Sequence, residues 1–522
     1  MSTASIADSL RFAVEACSQR GLVFAAKWAA EALVDHTHTA ACLDTTNASP
    51  TILPPAPSDP CDKYLLAKAY FDLREYDRAA FTLQTCTSHR CRFVRLYARY
   101  LAGEKRKVEK TPSTSAINPL EGDGPLETNP EMAAVSQELG MVHAADMDGF
   151  ELYLLGLVYH QQGLADQARQ ALVASVTQFP CNWSAWLALE KCISTAKALD
   201  ALIPVLPNSF MTEFFLAHMH VNMQTLLKKS EAQCQALREQ FPQCAFLQSL
   251  RAMTHYHARE FEEADALFDH LFRRDPYRLD RVDVYSNILY VMENRPKLAY
   301  LAHHCTDVDR FRPETCCVIG NFYGLRGEHE KAVVYFQRAL KLNRNYLSAW
   351  TLMGHEYVEL KNTAAAIEAY RRAIDVDSRD HRAWSGLGQA YEFLKMPHYA
   401  LFYYQKAASL RPFDTRLWSV LAGCYELCHR YKEAISCYNR ALLESENEPL
   451  TLSQLAKLYD KLHQRSDAVH HYELAIKSYP LDEPKSDEYI EACLYLARHE
   501  QSRANLSAAS RYLQLVIDHG GK

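Results

Sequence analysis

Residues 349–357 read AWTLMGHEY, and the pattern they carry returns at a fixed interval. Trp350, Met353, Gly354 and Tyr357 are followed by Ala366, Tyr370 and Ala373. Adding 34 to each number gives Trp384, Leu387, Gly388, Tyr391, Ala400, Tyr404 and Ala407, with Pro412 behind them. The next step gives Trp418, Leu421, Ala422, Tyr425, Ala434, Tyr438 and Ala441. The last gives Leu452, Leu455, Ala456, Tyr459, Ala468, Tyr472, Ala475 and Pro480. Backwards, the frame reaches Cys316, Ile319, Gly320, Tyr323, Ala332, Phe336 and Ala339. Two weaker units precede these, one at Tyr285 and Leu289, the other at Ala252, Ala264, Phe268 and Pro276. Seven units in one frame without an insertion are far beyond chance and predict a stack of paired helices.

The unit resembles the tetratricopeptide repeat, W-x2-L-G-x2-Y followed by small-x3-aromatic-x2-small. The fold class expected is therefore all-α, a tetratricopeptide superhelix (α-solenoid) of stacked helical hairpins. Repeat positions 8, 20 and 27 are small because helices approach closely there, and a larger side chain would overpack the contact by about 1–3 kcal/mol. The aromatics at positions 4, 11 and 24 are knobs between helices, so removing a buried one such as Trp384 is expected to cost about 3–5 kcal/mol. A single hairpin leaves one face bare, and stability comes from stacking neighbours.

Upstream the pattern persists with gaps. Leu155, Gly156, Tyr159, Ala168, Leu172 and Pro180 form a good unit, followed by Trp186 and Leu189 and by a degenerate unit at Phe214 ending at Pro242. Leu66, Ala67, Tyr70 and Ala79 mark another. The organisation expected is an N-terminal helical hairpin over 1–43, turning at Gly21, and a Pro-rich linker over 44–60 (TTNASPTILPPAPSDP). N-terminal repeats over 61–103 precede a mobile polar loop over 104–146, read from KTPSTSAINPLEGDGPLETNP. Degenerate units over 147–244 form a dimerisation half, the regular array and its groove occupy 245–480, and a C-terminal capping unit covers 481–522.

Composition narrows the function. Apolar residues make up 48% of 522 and charged residues 23%, and Gly is scarce at 17, which suits helices joined by short connections. The net charge is −6 and the longest basic run of note is Lys105-Arg106-Lys107, so nucleic acid is not an expected partner. The start, MSTASIADSLRF, lacks the basic and apolar regions of a secretory signal, and no apolar run approaches the roughly 18 residues that span a bilayer. No membrane partner is expected, and the protein is read as intracellular. The 16 cysteines, without a C-x-x-C, read as small hydrophobes rather than disulfides.

Catalytic signatures are missing: there is no G-x-x-x-x-G-K-[ST], G-x-S-x-G or H-E-x-x-H. The pairs His303-His304 and His470-His471 lack a further ligand at metal spacing. No enzyme activity, cofactor or metal is expected, and no stretch outside the repeats is long enough for a catalytic domain. What remains is the groove lined by first helices at repeat positions 2, 5, 9, 12 and 13. It includes Asn321, His355, Glu359, Gln389, Glu392, Glu426 and Asp460, with Arg382 and Arg416 between them. Its acids suit an extended peptide bearing Arg, although a merely solvated inner face reads the same way for any one residue. A chaperone-tail clamp needs Lys at position 5, and here that position holds Cys317, Thr351, Ser385, Ser419 and Ser453.

The wording outside the consensus carries a second resemblance. DPYRLDRVDVYSNILYV (275–291) and the stretch from ETCCVIGNFYGLRGEHEKAV to AAAIEAYRRAI (314–374) are similar to the family of the eighth subunit of the anaphase-promoting complex, or cyclosome, the cell division cycle protein 23 homologues. ARYLAGEKRK, DGFELYLLGLVY, EFFLAHMH and WSGLGQAYEFLKMPHYALFYYQKA add to it, and the likeness spans about residues 60–480. The resemblance implies a homodimeric scaffold, present in nucleus and cytoplasm, in a multisubunit ubiquitin ligase that drives exit from mitosis. It implies N-terminal repeats that dimerise, other complex subunits as partners, and a C-terminal superhelix that binds an Arg-containing box at the coactivator's N-terminus. Catalytic subunits are separate chains in that family. Carried over from the phrases GNFYGL and MGHEYVE, Asn321 and Glu356 join His355, Glu359, Gln389 and Glu392 as candidate groove residues, Glu356 standing at position 10. The resemblance also leads one to expect a Ser/Pro-rich C-terminal tail, and the sequence reaches Lys522 without one. A sister repeat subunit of the same complex, and a peptide-binding adaptor or co-chaperone, are the alternatives.

Overall fold

The computed structural model describes residues 3–41, 62–110, 129–143, 146–193, 195–223, 227–444, 448–479, 487–503 and 505–520. They form helices joined by short turns, and no strand occurs among them. The chain divides into two compact units, residues 1–322 and 323–522.

The first unit opens with the hairpin α1 (Thr3–Gln19) and α2 (Val23–Ala41), turned at Gly21 with φ 75°. A Cβ at Gly21 would lie 2.3 Å from the Phe71 ring, so both the turn and the packing require glycine. Next come α3 (Asp62–Asp72), α4 (Tyr76–Thr82), α5 (His89–Lys110) and α6 (Met132–Gly140). The hairpins α7 (Gly149–Gln161) and α8 (Ala165–Gln178), α9 (Trp183–Lys191) and α10 (Ala196–Leu202), and α11 (Phe210–Met223) and α12 (Leu227–Gln240) follow. Then come α13 (Ala245–Ala258) and α14 (Phe261–Arg274), α15 (Val282–Val291) and α16 (Arg295–Asp309), and α17 (Pro313–Leu325), within which the division falls.

The N-terminal hairpin is no appendage. Trp28 of α2 stacks on Trp183 of α9 at 4.9 Å and meets Phe214 of α11 and Phe246 of α13 edge-on at 5.4 and 6.1 Å. The helix thus lies across the first helices of three successive hairpins. Lys27 Nζ reaches Asp280 at 2.9 Å, and Arg20 pairs with Asp148 at 3.0 Å while covering the Phe150 ring.

One expectation of organisation changes. The polar loop expected over 104–146 is partly helical: α5 runs on to Lys110, and α6 buries Met132, Val135 and Leu139. Gly103 sits within α5, where the Asn129 side chain closes on it. A Cβ there would lie 1.8 Å from Asn129 Oδ1, and Asn129 Nδ2 donates to the Tyr100 carbonyl at 3.0 Å. Arg99 then bridges Glu131 at 3.1 Å and Glu138 at 2.6 Å, and Arg106 joins Glu131 at 2.9 Å. The rest of that loop, 111–128, and the linker expected over 44–60 lie outside the described residues.

The second unit continues with α18 (His329–Leu342), α19 (Leu347–Glu359), α20 (Thr363–Val376), α21 (His381–Phe393), α22 (Pro397–Leu410), α23 (Thr415–Leu427) and α24 (Tyr431–Glu444). It ends with α25 (Pro449–Lys461), α26 (Arg465–Ser478), α27 (Asp487–Ser502) and α28 (Leu506–Gly520). Here first helices begin at 347, 381, 415 and 449 and second helices at 329, 363, 397, 431 and 465, so the 34-residue frame is kept to the residue. The second residue past α17, α19, α21, α23 and α25 takes a left-handed backbone: Gly327 has φ 78°, and Lys361, Lys395, His429 and His463 have φ between 57° and 61°. At Trp384 the burial expectation is corrected. Its indole is only partly covered, whereas Trp350 is 1% exposed.

Tyr370 shows why small residues recur. Its ring is buried between Gly354 of its own hairpin and Gly386 of the next, where added Cβ atoms would lie 2.5 and 2.4 Å from it. Gly386→Val should destabilise the second unit by about 1–3 kcal/mol despite valine's better helix propensity, read as a lowered urea midpoint at unchanged m value.

Candidate peptide-binding site

The six candidate residues fall on three first helices. Asn321 lies on α17 in the first unit, and the other five lie on α19 and α21 in the second. Asn321 is 2% exposed, and its Nδ2 donates to Ser286 Oγ at 2.8 Å and to Asn287 Oδ1 at 2.7 Å, both on α15. The amide is therefore a buried tie between successive first helices rather than an open contact. Asn321→Ala would leave the Asn287 carbonyl oxygen without that donor inside the unit, at a cost of about 1–3 kcal/mol. A thermal melt of the variant should show the loss before any binding is measured.

Glu356 is likewise buried. Its Oε2 lies 2.7 Å from His329 Nδ1, and its head fits against Gly324, where a Cβ would meet Oε1 at 2.7 Å. Burial raises its carboxyl above the ordinary value, opposed by the His329 hydrogen bond. His355, Glu359, Gln389 and Glu392 are exposed on the same helices. His355 Nδ1 shares a 2.8 Å hydrogen bond with the Tyr370 hydroxyl, and Tyr404 donates its hydroxyl to Glu392 Oε2 at 2.9 Å. The structure thus divides the second-unit candidates into one carboxylate held below the surface and four side chains on it.

Sequence reasoning missed the groups that fix these acids. Tyrosine at position 24 holds the acid at position 12 of its own hairpin: Tyr404 on Glu392, and Tyr438 on Glu426 at 3.0 Å. Tyr495 does the same for Asp460 from the following hairpin, at 2.6 Å. Burial, then the nearby carboxylate, pushes the Tyr404 and Tyr438 phenols up, so they remain neutral donors. The signal was available in the sequence, since Glu392 and Glu426 each precede their tyrosine by 12 residues.

At the start of α21, Asp380 accepts from the Arg382 amide at 3.1 Å and pairs with its Nε at 3.0 Å, capping the helix. His381 accepts from Arg411 Nη1 through Nε2 at 3.1 Å, and burial together with Arg411 and Arg382 holds its imidazole well below the usual value. Protonation therefore favours the unfolded chain, whose imidazole titrates near ~6.5. Stability from this group is whole above that pH and is lost progressively as pH falls below it. Urea midpoints of the second unit should drop between pH 7.5 and 5, and His381→Asn should flatten that dependence.

Most of the described cysteines are buried, as small hydrophobes would be. No helix of the described residues is long and apolar enough to cross a membrane.

Comparisons with known proteins agree with this architecture. A family profile described as "Anaphase promoting complex subunit 8 / Cdc23" matches residues 5–252, and tetratricopeptide profiles match 313–346, 354–393 and 381–414. The chain is 45% identical to the Arabidopsis thaliana "Anaphase-promoting complex subunit 8" over 311 residues, 58% of this chain and 52% of that relative. It thus spans about half the length of that relative. It is 33% identical to the Saccharomyces cerevisiae "Anaphase-promoting complex subunit CDC23" over 438 residues, 69% of this chain and 70% of the relative. The solved structure titled "Crystal structure of APC/C hetero-tetramer Cut9-Hcn1" is similar in fold, with a TM-score of 0.59, 17% identity, and coverage of 100% of this chain and 97% of that one. The 34-residue frame, the helical hairpins and the match to most of the yeast subunit's length together place this chain in the anaphase-promoting complex subunit 8/Cdc23 family.

Proposed function

We propose that the chain is a non-catalytic scaffold subunit of an anaphase-promoting complex in nucleus and cytoplasm. In this reading it self-associates through hairpins of the first unit and contacts other subunits of the complex. On the first-helix face of the second unit it holds the Arg-containing N-terminal box of a coactivator, in support of cell-cycle-regulated ubiquitination. The observation that carries the reading is identity to named subunits of that complex over most of the yeast relative. The inner-face acids add to it, because Tyr404 and Tyr438 hold Glu392 and Glu426 in place as acceptors for a cationic side chain.

Light scattering of the purified chain, with and without a synthetic coactivator-box peptide, tests it. A species of twice 59.6 kDa that binds the peptide supports the reading. Glu359→Gln and Glu392→Gln are the surface variants of choice, because Asn321→Ala also alters the interior. A monomer indifferent to the peptide would turn the reading toward an adaptor.

A further inference from the structure

Helix α22 is a second helix of the 34-residue frame, and its outward side differs from that of its neighbours. It buries Ala400, Leu401, Tyr404, Ala407 and Ala408 and leaves Tyr399, Phe402 and Lys406 to solvent. Tyr399 and Phe402 are 60% and 55% exposed. Their repeat positions, 19 and 22, hold Ala365 and Glu368 in the preceding hairpin and Glu433 and Ser436 in the following one. The repeat itself therefore asks for no aromatic ring at either place. Helix α22 is also without Asp or Glu, whereas α18, α20, α24 and α26 each carry at least one.

The exposed rings are held by others. Tyr399 stacks on Tyr391 with centroids 5.6 Å apart, Tyr391 stacks on Tyr403 at 5.2 Å, and Phe402 meets Tyr403 edge-on at 5.3 Å. Arg371 of α20 donates from Nη2 to the Tyr391 hydroxyl at 3.1 Å. Four rings and a guanidinium thus form a platform with little rotamer freedom left to lose when a partner covers it. Its charge is one-sided. Glu368 of α20 pairs with Arg372 at 3.0 Å, and among the described residues neither Arg371 nor Lys406 forms an ion pair. Tyr399, Phe402 and Lys406 keep the i, i+3, i+7 spacing of a single helix face, so the platform is a stripe along α22.

We propose that this stripe docks an acidic amphipathic helix of a partner protein, laid along α22. Aliphatic side chains of that helix cover Tyr399 and Phe402, and its Asp or Glu side chains meet Lys406 and Arg371. The unopposed cations select an acidic occupant, and a straight stripe at helical spacing suits a helix packed beside it. The site uses none of the candidate groove residues and does not rest on the proposed function.

Fluorescence anisotropy on the full chain tests it, with a labelled helical peptide that carries Leu on one face and Glu on its flanks, and a twin in which each Glu is Lys. The Glu peptide should bind and the Lys twin should not. Phe402→Gln should weaken binding roughly thirtyfold at an unchanged melting temperature, because the ring is exposed and glutamine is a good helix former. Lys406→Glu should weaken it roughly tenfold, and Glu359→Gln should leave it unchanged. Light scattering should give Phe402→Gln the same mass as the parent chain. Absence of binding, equal binding of the two peptides, or indifference to Phe402→Gln overturns the site. A lower mass for Phe402→Gln would make this face a contact between copies of the chain and overturn the partner helix. Binding of the Glu peptide by a chain that ignores the coactivator-box peptide supports the stripe while removing the coactivator reading.

Discussion

Trp28→Ala should destabilise the first unit by about 3–5 kcal/mol, although the residue lies on a hairpin that precedes the Pro-rich stretch of sequence over 44–60. The indole is buried against three aromatic rings from three different hairpins, Trp183, Phe214 and Phe246. Truncation leaves a cavity whose walls belong to α9, α11 and α13, and these cannot close on it without shifting against one another. The indole nitrogen has no hydrogen-bond partner, so the loss is one of packing alone. Hydrogen exchange read by mass spectrometry checks this. Faster exchange should spread into α9, α11 and α13. Acceleration confined to α1 and α2 would mean that the hairpin is only a cap.

Trp350→Ala should cost the second unit a similar ~3–5 kcal/mol, and here a bond goes as well. The ring is enclosed, and its Nε1 donates to the Arg344 carbonyl at 2.8 Å, tying the end of one hairpin to the first helix of the next. Trp384 occupies the same register and makes the same kind of bond, to the Ser378 carbonyl at 2.9 Å. Its ring is partly solvated, so less apolar area returns to water and the expected cost falls to ~1–2 kcal/mol. Urea titrations of the two variants, followed by far-UV circular dichroism, compare them directly. Equal losses would refute the argument from burial.

Much of this fold was legible because the repeat is a steric code. A small residue at position 8 or 20 fixes where two helices touch, and second helices of the second unit accordingly start at 329, 363, 397, 431 and 465. Less legible was anything that depends on residues far apart in the chain. No local pattern says that Trp28 meets Trp183, because the contact joins positions 155 residues apart (183 − 28). Helix α6 was hidden by its polar flanks, although Met132, Val135 and Leu139 keep a helical spacing. The candidate residues were read from the sequence as polar positions of first helices, and they lie on α17, α19 and α21. Their roles were not read there, since a polar Asn321 or Glu356 reads the same whether it faces solvent or, as here, Ser286 and His329. The turns add a smaller lesson: scarce glycine did not relieve them of left-handed backbone, which Lys361, Lys395, His429 and His463 adopt instead.

The seating of α2 across α9, α11 and α13 also sets a schedule for synthesis. A ribosome adding ~5–20 residues per second needs roughly ten to forty seconds between Trp28 and the arrival of Phe246, which completes its aromatic surroundings. Through that interval the nascent hairpin carries a bare indole and the apolar face around it. Helix α2 is thus made well before its aromatic partners are complete, and a holding chaperone would have a long opportunity at this hairpin.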